Sequence, residues 1–96
     1  MMRYTVHFSG RVQGVGFRYT AQRAAAKLSV SGFVRNLSDG RVRLVAEGNE
    51  GQLVRLVDDV NQAMAGYISE HTVEQSAATG EFDAGQGSSG LLEVRY

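Results

Sequence analysis

The sequence predicts an α+β sandwich with the element order βαββαβ, two helices lying on one face of a mainly antiparallel sheet. Three observations predict it. An alternating run, Tyr4-Thr5-Val6-His7-Phe8, passes through a glycine-rich turn into residues at helical spacing. Two further alternating runs are joined by Ser38-Asp39-Gly40, a hairpin signal, because Asp and Gly tolerate positive φ. A second amphipathic segment then leads back into β-prone sequence, so each helix has a strand on either side.

In the first strand Tyr4, Val6 and Phe8 share one face, with Thr5 and His7 on the other. The first helix, Tyr19 to Leu28, carries Phe17, Ala21, Ala24, Ala25 and Leu28 as a stripe of mostly small residues suited to close packing on a sheet. Ser31 to Leu37 and Arg41 to Glu47 are the second and third strands, with Phe17 and Phe33 both expected in the core. Asn49 is placed to cap the second helix, which presents Leu53, Leu56, Val57, Val60 and Met64 on one face and stops at Gly66. A fourth strand falls within Ile68 to Gln75, around Thr72-Val73-Glu74. Ser76 to Gly90, rich in Ser, Gly and Ala, reads as a loop whose first part can extend that strand. Leu91 to Tyr96 alternates again and is expected to return to the sheet as a short extra C-terminal strand. The arrangement is of the ferredoxin-like kind.

Ninety-six residues are enough for one two-layer domain, taken as 1–96. A formal net charge of zero gives no global attraction to nucleic acid or to an anionic membrane, and no run is apolar enough to span a bilayer. The absence of cysteine excludes disulfides and thiolate metal sites. The chain enters a strand at once, without a leader, so a cytoplasmic location is expected.

The chemistry is concentrated in Gly10-Arg11-Val12-Gln13-Gly14-Val15-Gly16-Phe17-Arg18. Between a strand and a helix N-terminus, glycines let the backbone approach a ligand, the first helical N–H groups lack internal partners, and the helix dipole favours negative charge. Arg18 lies in the first turn, where a cation opposes the dipole unless an anion is nearby. The loop reads as a cradle for a phosphate-like group.

That stretch, followed by Gly32-Phe33-Val34-Arg35-Asn36, Asp39-Gly40-Arg41-Val42 and the closing Val94-Arg95-Tyr96, closely resembles the acylphosphatase family in order and spacing over nearly the whole chain. The chain departs from that pattern after the second helix, where a Gly-Pro is common and this sequence has no proline. The resemblance implies a free-standing hydrolase of the carboxyl–phosphate bond of acyl phosphates, acting without cofactor, metal or covalent intermediate. It implies that Gln13, Gly14, Val15, Gly16, Phe17 and Arg18 hold the phosphate, through backbone N–H groups and the Arg18 guanidinium, and that Asn36 orients the attacking water. Arg18 and Asn36 are thus the implied catalytic residues. Elementary chemistry agrees with these roles. Phosphoryl transfer is largely positioning and electrostatic stabilisation, and a planar guanidinium matches two phosphate oxygens. A departing carboxylate, with a conjugate-acid pKa of about 4, needs no general acid, and the loop holds no His, Cys or carboxylate.

Taken singly, each of these residues has a plainer reading. Gly14 and Gly16 permit a tight turn, Arg18 can pair with a surface carboxylate, and Asn36 can be a turn residue; the joint motif is what assigns them the site. Asp39-Gly40 reads as a hairpin device rather than a catalytic acid. His7 and His71, far apart and without paired acidic ligands, read as surface or core residues rather than a metal site. Arg35, Arg41 and Arg43 read as a solvated sheet edge with partners such as Glu47, and Glu50, Asp58 and Asp59 as exposed helix charges. Two other function classes compete with the hydrolase. One is a non-catalytic anion-binding or regulatory module of the same fold, disfavoured by the presence of both Arg18 and Asn36. The other is an RNA-binding domain, disfavoured because Arg41 to Glu47 lacks the aromatic residues on which bases stack. The expected partners are therefore an acyl phosphate as substrate and inorganic phosphate as product, with neither nucleic acid nor membrane, for a monomer.

Overall fold

The computed structural model describes residues 1–82 and 91–95. Its elements run β1 (Met2–Gly10), α1 (Phe17–Ala25), β2 (Val30–Asn36), β3 (Val42–Gly48), α2 (Glu50–Ala63), β4 (Ile68–Ala77) and β5 (Leu91–Arg95). The strands form one sheet in the order β4-β1-β3-β2-β5. All neighbours are antiparallel except β2 and β5, which run parallel.

Alternation along the strands decides which face is covered. Tyr4, Val6 and Phe8 of β1, Val30 and Val34 of β2, and Val42, Leu44 and Ala46 of β3 form one buried face. The stripe Phe17, Ala21, Ala24, Ala25 of α1 and Leu53, Leu56, Val57, Val60 of α2 close over it. Small residues on α1 let that helix approach the sheet closely, as their spacing predicts. Within the sheet, Gly32 lets β2 lie close against β3: a Cβ there would lie 1.8 Å from the Val45 carbonyl oxygen, so no other residue fits. Asn49 stands at the N-cap of α2 as expected, but its side chain makes no capping hydrogen bond. The expected helix stop is present as a turn, with Gly66 at φ 93° and the Tyr67 N–H donating to the Met64 carbonyl at 3.0 Å. The fourth strand is longer than its sequence signal, since Ser76 and Ala77 continue pairing with β1 opposite Arg3 and Met2. The rest of the expected Ser76–Gly90 loop divides: 78–82 turns over the sheet, and 83–90, like Tyr96, lies outside the described residues.

Two expectations fail on the other face of the sheet. Phe33 is not in the core between sheet and helices. It lies on the opposite face, half-buried, with the Arg95 guanidinium 4.1 Å from its ring centroid and the Phe82 ring edge-on at 5.7 Å. Glu47 is not a solvated partner of the hairpin arginines. It is 5% exposed and accepts hydrogen bonds from Arg3 Nε at 2.8 Å, the Thr79 N–H at 2.9 Å, the Thr79 hydroxyl at 3.0 Å and the Gly80 N–H at 2.9 Å. Arg3 reaches onward to Glu81 and places its guanidinium 5.1 Å from the Phe82 ring centroid. Of the remaining arginines, Arg41 pairs with Asp39 at 2.8 Å and Arg43 Nε donates to His7 Nε2 at 3.1 Å. One carboxylate thus folds the segment after β4 back across the sheet.

Burial alone would push the Glu47 carboxyl up, but the hydrogen bonds from Thr79, Arg3 and Gly80 outweigh it and hold the group below the usual glutamate value. A depressed carboxylate binds its proton less readily folded than unfolded. Its contribution is therefore complete above about pH 4.3, the unfolded value, and is lost as pH falls through the lower folded one. Glu47→Gln is expected to lower stability by about 1.5–3 kcal/mol at neutral pH, the range for hydrogen bonds to a charged group. It is also expected to flatten the acid side of the stability profile, measured by thermal unfolding between neutral and strongly acidic pH.

Candidate active site

The loop between β1 and α1 is pinned at both ends and open in the middle. Val12 is fully buried, and Phe17 packs its ring 5.0 Å from that of Phe8. Between them Gly14, Val15 and Gly16 are exposed, with Gly14 at φ 76° and Gly16 at φ 77°. An added Cβ at either glycine would meet nothing within 4 Å, so what the loop asks of them is left-handed backbone, not space. Gly16 is the N-cap of α1; its carbonyl accepts the Thr20 N–H at 3.0 Å. No side chain caps this end and no acidic residue stands in the first turn. The positive end of the helix therefore faces outward beside the Arg18 guanidinium, a place of strong positive potential.

Arg18 is half-buried, and its Nη1 donates to the Arg95 carbonyl at 3.1 Å. One turn later Gln22 Nε2 donates to the Leu92 carbonyl at 3.0 Å. The two polar residues of α1 at i and i+4 thus bind the backbone of the edge strand β5, which steadies the Arg18 side chain. This support was invisible in the sequence. The i,i+4 spacing of Arg18 and Gln22 is its one local sign, and it names no partner.

Asn36 is the last residue of β2, paired with Val42. It is half-buried, and among the described residues its side-chain amide has no hydrogen-bond partner. The turn after it is built as expected. Asp39 accepts the Arg41 N–H at 3.0 Å, and Gly40 takes φ 96°. Gln13 joins the two halves of the site: its Nε2 donates to the Leu37 carbonyl at 2.8 Å and to the Arg41 carbonyl at 2.9 Å. Arg18, Asn36 and the glycine loop are therefore gathered at one end of the sheet, while the Gln13 side chain is directed at the hairpin.

The histidines lie elsewhere. His7, on the face away from the helices, has its pKa lowered by burial and by Arg41 and Arg43, in keeping with a neutral ring accepting from Arg43. His71 is exposed, its ring 5.9 Å from that of Phe8. Among the described residues no three His, Asp or Glu side chains converge as a metal site would require.

The comparisons with known proteins agree with this fold. The sequence profile of the family described as Acylphosphatase matches residues 4–85. An acylphosphatase of Paenarthrobacter aurescens is 43% identical over 83 residues, covering 85% of this chain and 88% of the relative. One from Bacillus subtilis is 48% identical over 77 residues, covering 79% and 85%. The crystal structure of an acylphosphatase from Bacillus subtilis superposes with a TM-score of 0.84 at 33% identity, over the full length of both chains. A profile and relatives that span most of the sequence, on a matching fold, leave one conclusion: the chain belongs to the acylphosphatase family.

Proposed function

We propose that the chain hydrolyses acyl phosphates with the 13–18 loop as phosphate cradle, Arg18 as its cation and Asn36 as the residue that orients water. The observation that carries this reading is an uncapped, acid-free helix start, shaped by two left-handed glycines, with Arg18 in its first turn and the end of the Asn36 strand beside it. Backbone N–H groups of the loop and the guanidinium surround the phosphoryl oxygens, where negative charge is concentrated. The Asn36 amide holds a water on the side opposite the acyl oxygen. As the bond from water oxygen to phosphorus forms, the bond from phosphorus to the acyl oxygen breaks. The carboxylate leaves with the bonding pair, and the water's proton passes to solvent. Carboxylic acids have a conjugate-acid pKa of about 4, so no residue need protonate the leaving group. The charge required at the transition state comes from Arg18 and the backbone, so no metal ion or cofactor is assigned a role. The family's function also favours catalysis over a purely anion-binding role.

The same reading takes residues 1–96 as one unit acting as a monomer on a small-molecule acyl phosphate and releasing inorganic phosphate, independent of nucleic acid and membrane, in the cytoplasm. No helix among the described residues is long and apolar enough to cross a membrane.

Substitutions at three positions test it. Arg18→Gln is expected to abolish phosphate binding and turnover of an aryl acyl phosphate together; a variant that still binds phosphate like the wild type sinks the cradle assignment. Asn36→Ala is expected to reduce kcat by about a hundredfold or more, as loss of water positioning does, with phosphate affinity largely retained and EDTA without effect on the wild type. Gly16→Ala forces a side chain into left-handed backbone at about 1–2 kcal/mol, a loss of roughly 4–8 °C in Tm per kcal/mol for a domain of this size. Gly16→Asn, which tolerates that conformation, is expected to fall between Ala and wild type in both Tm and phosphate affinity.

A further inference from the structure

We infer that Gln13 is a positioning residue, its side chain tethering the phosphate loop to the β2–β3 hairpin and so setting where the cradle lies relative to Asn36. The inference rests on the reading above that Asn36 orients water, and it assigns Gln13 a role other than phosphate ligand through its side chain.

The hydrogen-bond inventory of the side chain decides this. A glutamine amide carries two N–H donors and a carbonyl acceptor. Nε2 of Gln13 is 2.8 Å from the Leu37 oxygen and 2.9 Å from the Arg41 oxygen, so both donors are committed to the protein. Turning the amide over would set its own oxygen against two carbonyls, which fixes the assignment. The group left over is a carbonyl oxygen, and it repels a phosphate. Backbone N–H groups remain as this residue's route to the anion.

The two acceptors lie at the neck of the hairpin. The Leu37 N–H donates to the Arg41 carbonyl at 2.8 Å, closing the turn that contains Asp39 and Gly40. Asn36 directly precedes Leu37, and Gly14 directly follows Gln13. Through one side chain, then, the first residue of the cradle is bonded to the strand end that bears Asn36. Because Gly14 and Gly16 are exposed and touch little, the loop has few other restraints between its buried anchors Val12 and Phe17. A displacement of about 1 Å between phosphate and water is enough to cost a hundredfold in rate, so a tether at this point acts on catalysis.

The test replaces Gln13 with Met, which keeps the length and removes the donors, alone and combined with Asn36→Ala. Expected for Gln13→Met is a fall in kcat of about ten- to a hundredfold with phosphate affinity close to wild type. In the Asn36→Ala background the same replacement is expected to cause no further loss, because a residue that acts through Asn36 has nothing left to position. Independent, multiplied losses overturn the tether and leave the role of Asn36 standing. Wild-type kcat in Asn36→Ala alone overturns that role itself, and the two failures are thereby distinct. Should Gln13→Met fail to fold, the wild type answers. In a phosphate titration followed by 15N NMR, the Gln13 side-chain amide is expected to hold its shift and its slow proton exchange while the backbone amides of the loop move. A side-chain shift as large as theirs makes Gln13 a phosphate ligand and overturns the tether.

Discussion

The site depends on the central position of β3. Because β1 and β2 both pair antiparallel with it, they run parallel to each other and end at the same edge of the sheet. One row across the sheet reads Phe8, Val42, Asn36. The loop that follows β1 therefore emerges beside Asn36, although the two are far apart in sequence, and α1 starts there with its positive end outward. A strand order that separated β1 from β3 would widen the lateral distance between the loop after β1 and Asn36, which one intervening strand now sets. The buried alternation of Val42, Leu44 and Ala46 is thus a functional constraint as much as a packing one: a slip of one residue would turn Asn36 to the opposite face.

The two faces of the sheet are stabilised by different physics. Under the helices the core is apolar and continuous, and its polar atoms need no special accommodation. On the other face a buried carboxylate takes the place of a helix layer. Removing Glu47 from water is compensated by four donors drawn from β1 and from the segment after β4. The same contacts bring Phe82 onto Phe33. This is how a sheet with helices on one side only covers part of its second side without a second hydrophobic layer.

Much of the fold was legible because it rests on local rules. Alternation marked the strands, Asp39-Gly40 marked the hairpin, helical spacing marked the faces of α1 and α2, and the glycines before Arg18 marked the turn from β1 into α1. What was not legible depends on partners that local sequence cannot name. Phe33 was expected in the core because it is large and apolar, yet strand alternation puts Ser31, Phe33 and Arg35 on one face and Val30, Gly32 and Val34 on the other, and it is Val30 and Val34 that are buried in the core. Glu47 was expected in solvent because acids near arginines usually are; its true donors come from the other end of the chain. The register that sets Arg35 against Arg43 and Asn36 against Val42 belongs to the assembled sheet. The parallel placement of β5, and with it the carbonyl that holds Arg18, is equally a property of the sheet edge and not of Leu91 to Arg95.

The arrangement also accounts for what the site lacks. An active centre for phosphomonoesters must help a basic alkoxide depart, which calls for a proton donor or a metal close to the leaving oxygen. Here the loop carries no acid, His7 lies on the opposite face of the sheet with its nitrogen already accepting from Arg43, and Asp39 is occupied with the backbone and side chain of Arg41. Among the described residues, His7 and Asp39 are thus both committed to structure. The reaction proposed for Arg18 and Asn36 is one in which the leaving group departs unaided and the protein supplies positive charge and a placed water. A carboxylate leaving from phosphorus meets that condition, so the roles proposed for Arg18 and Asn36 ask for no proton donor at the leaving oxygen.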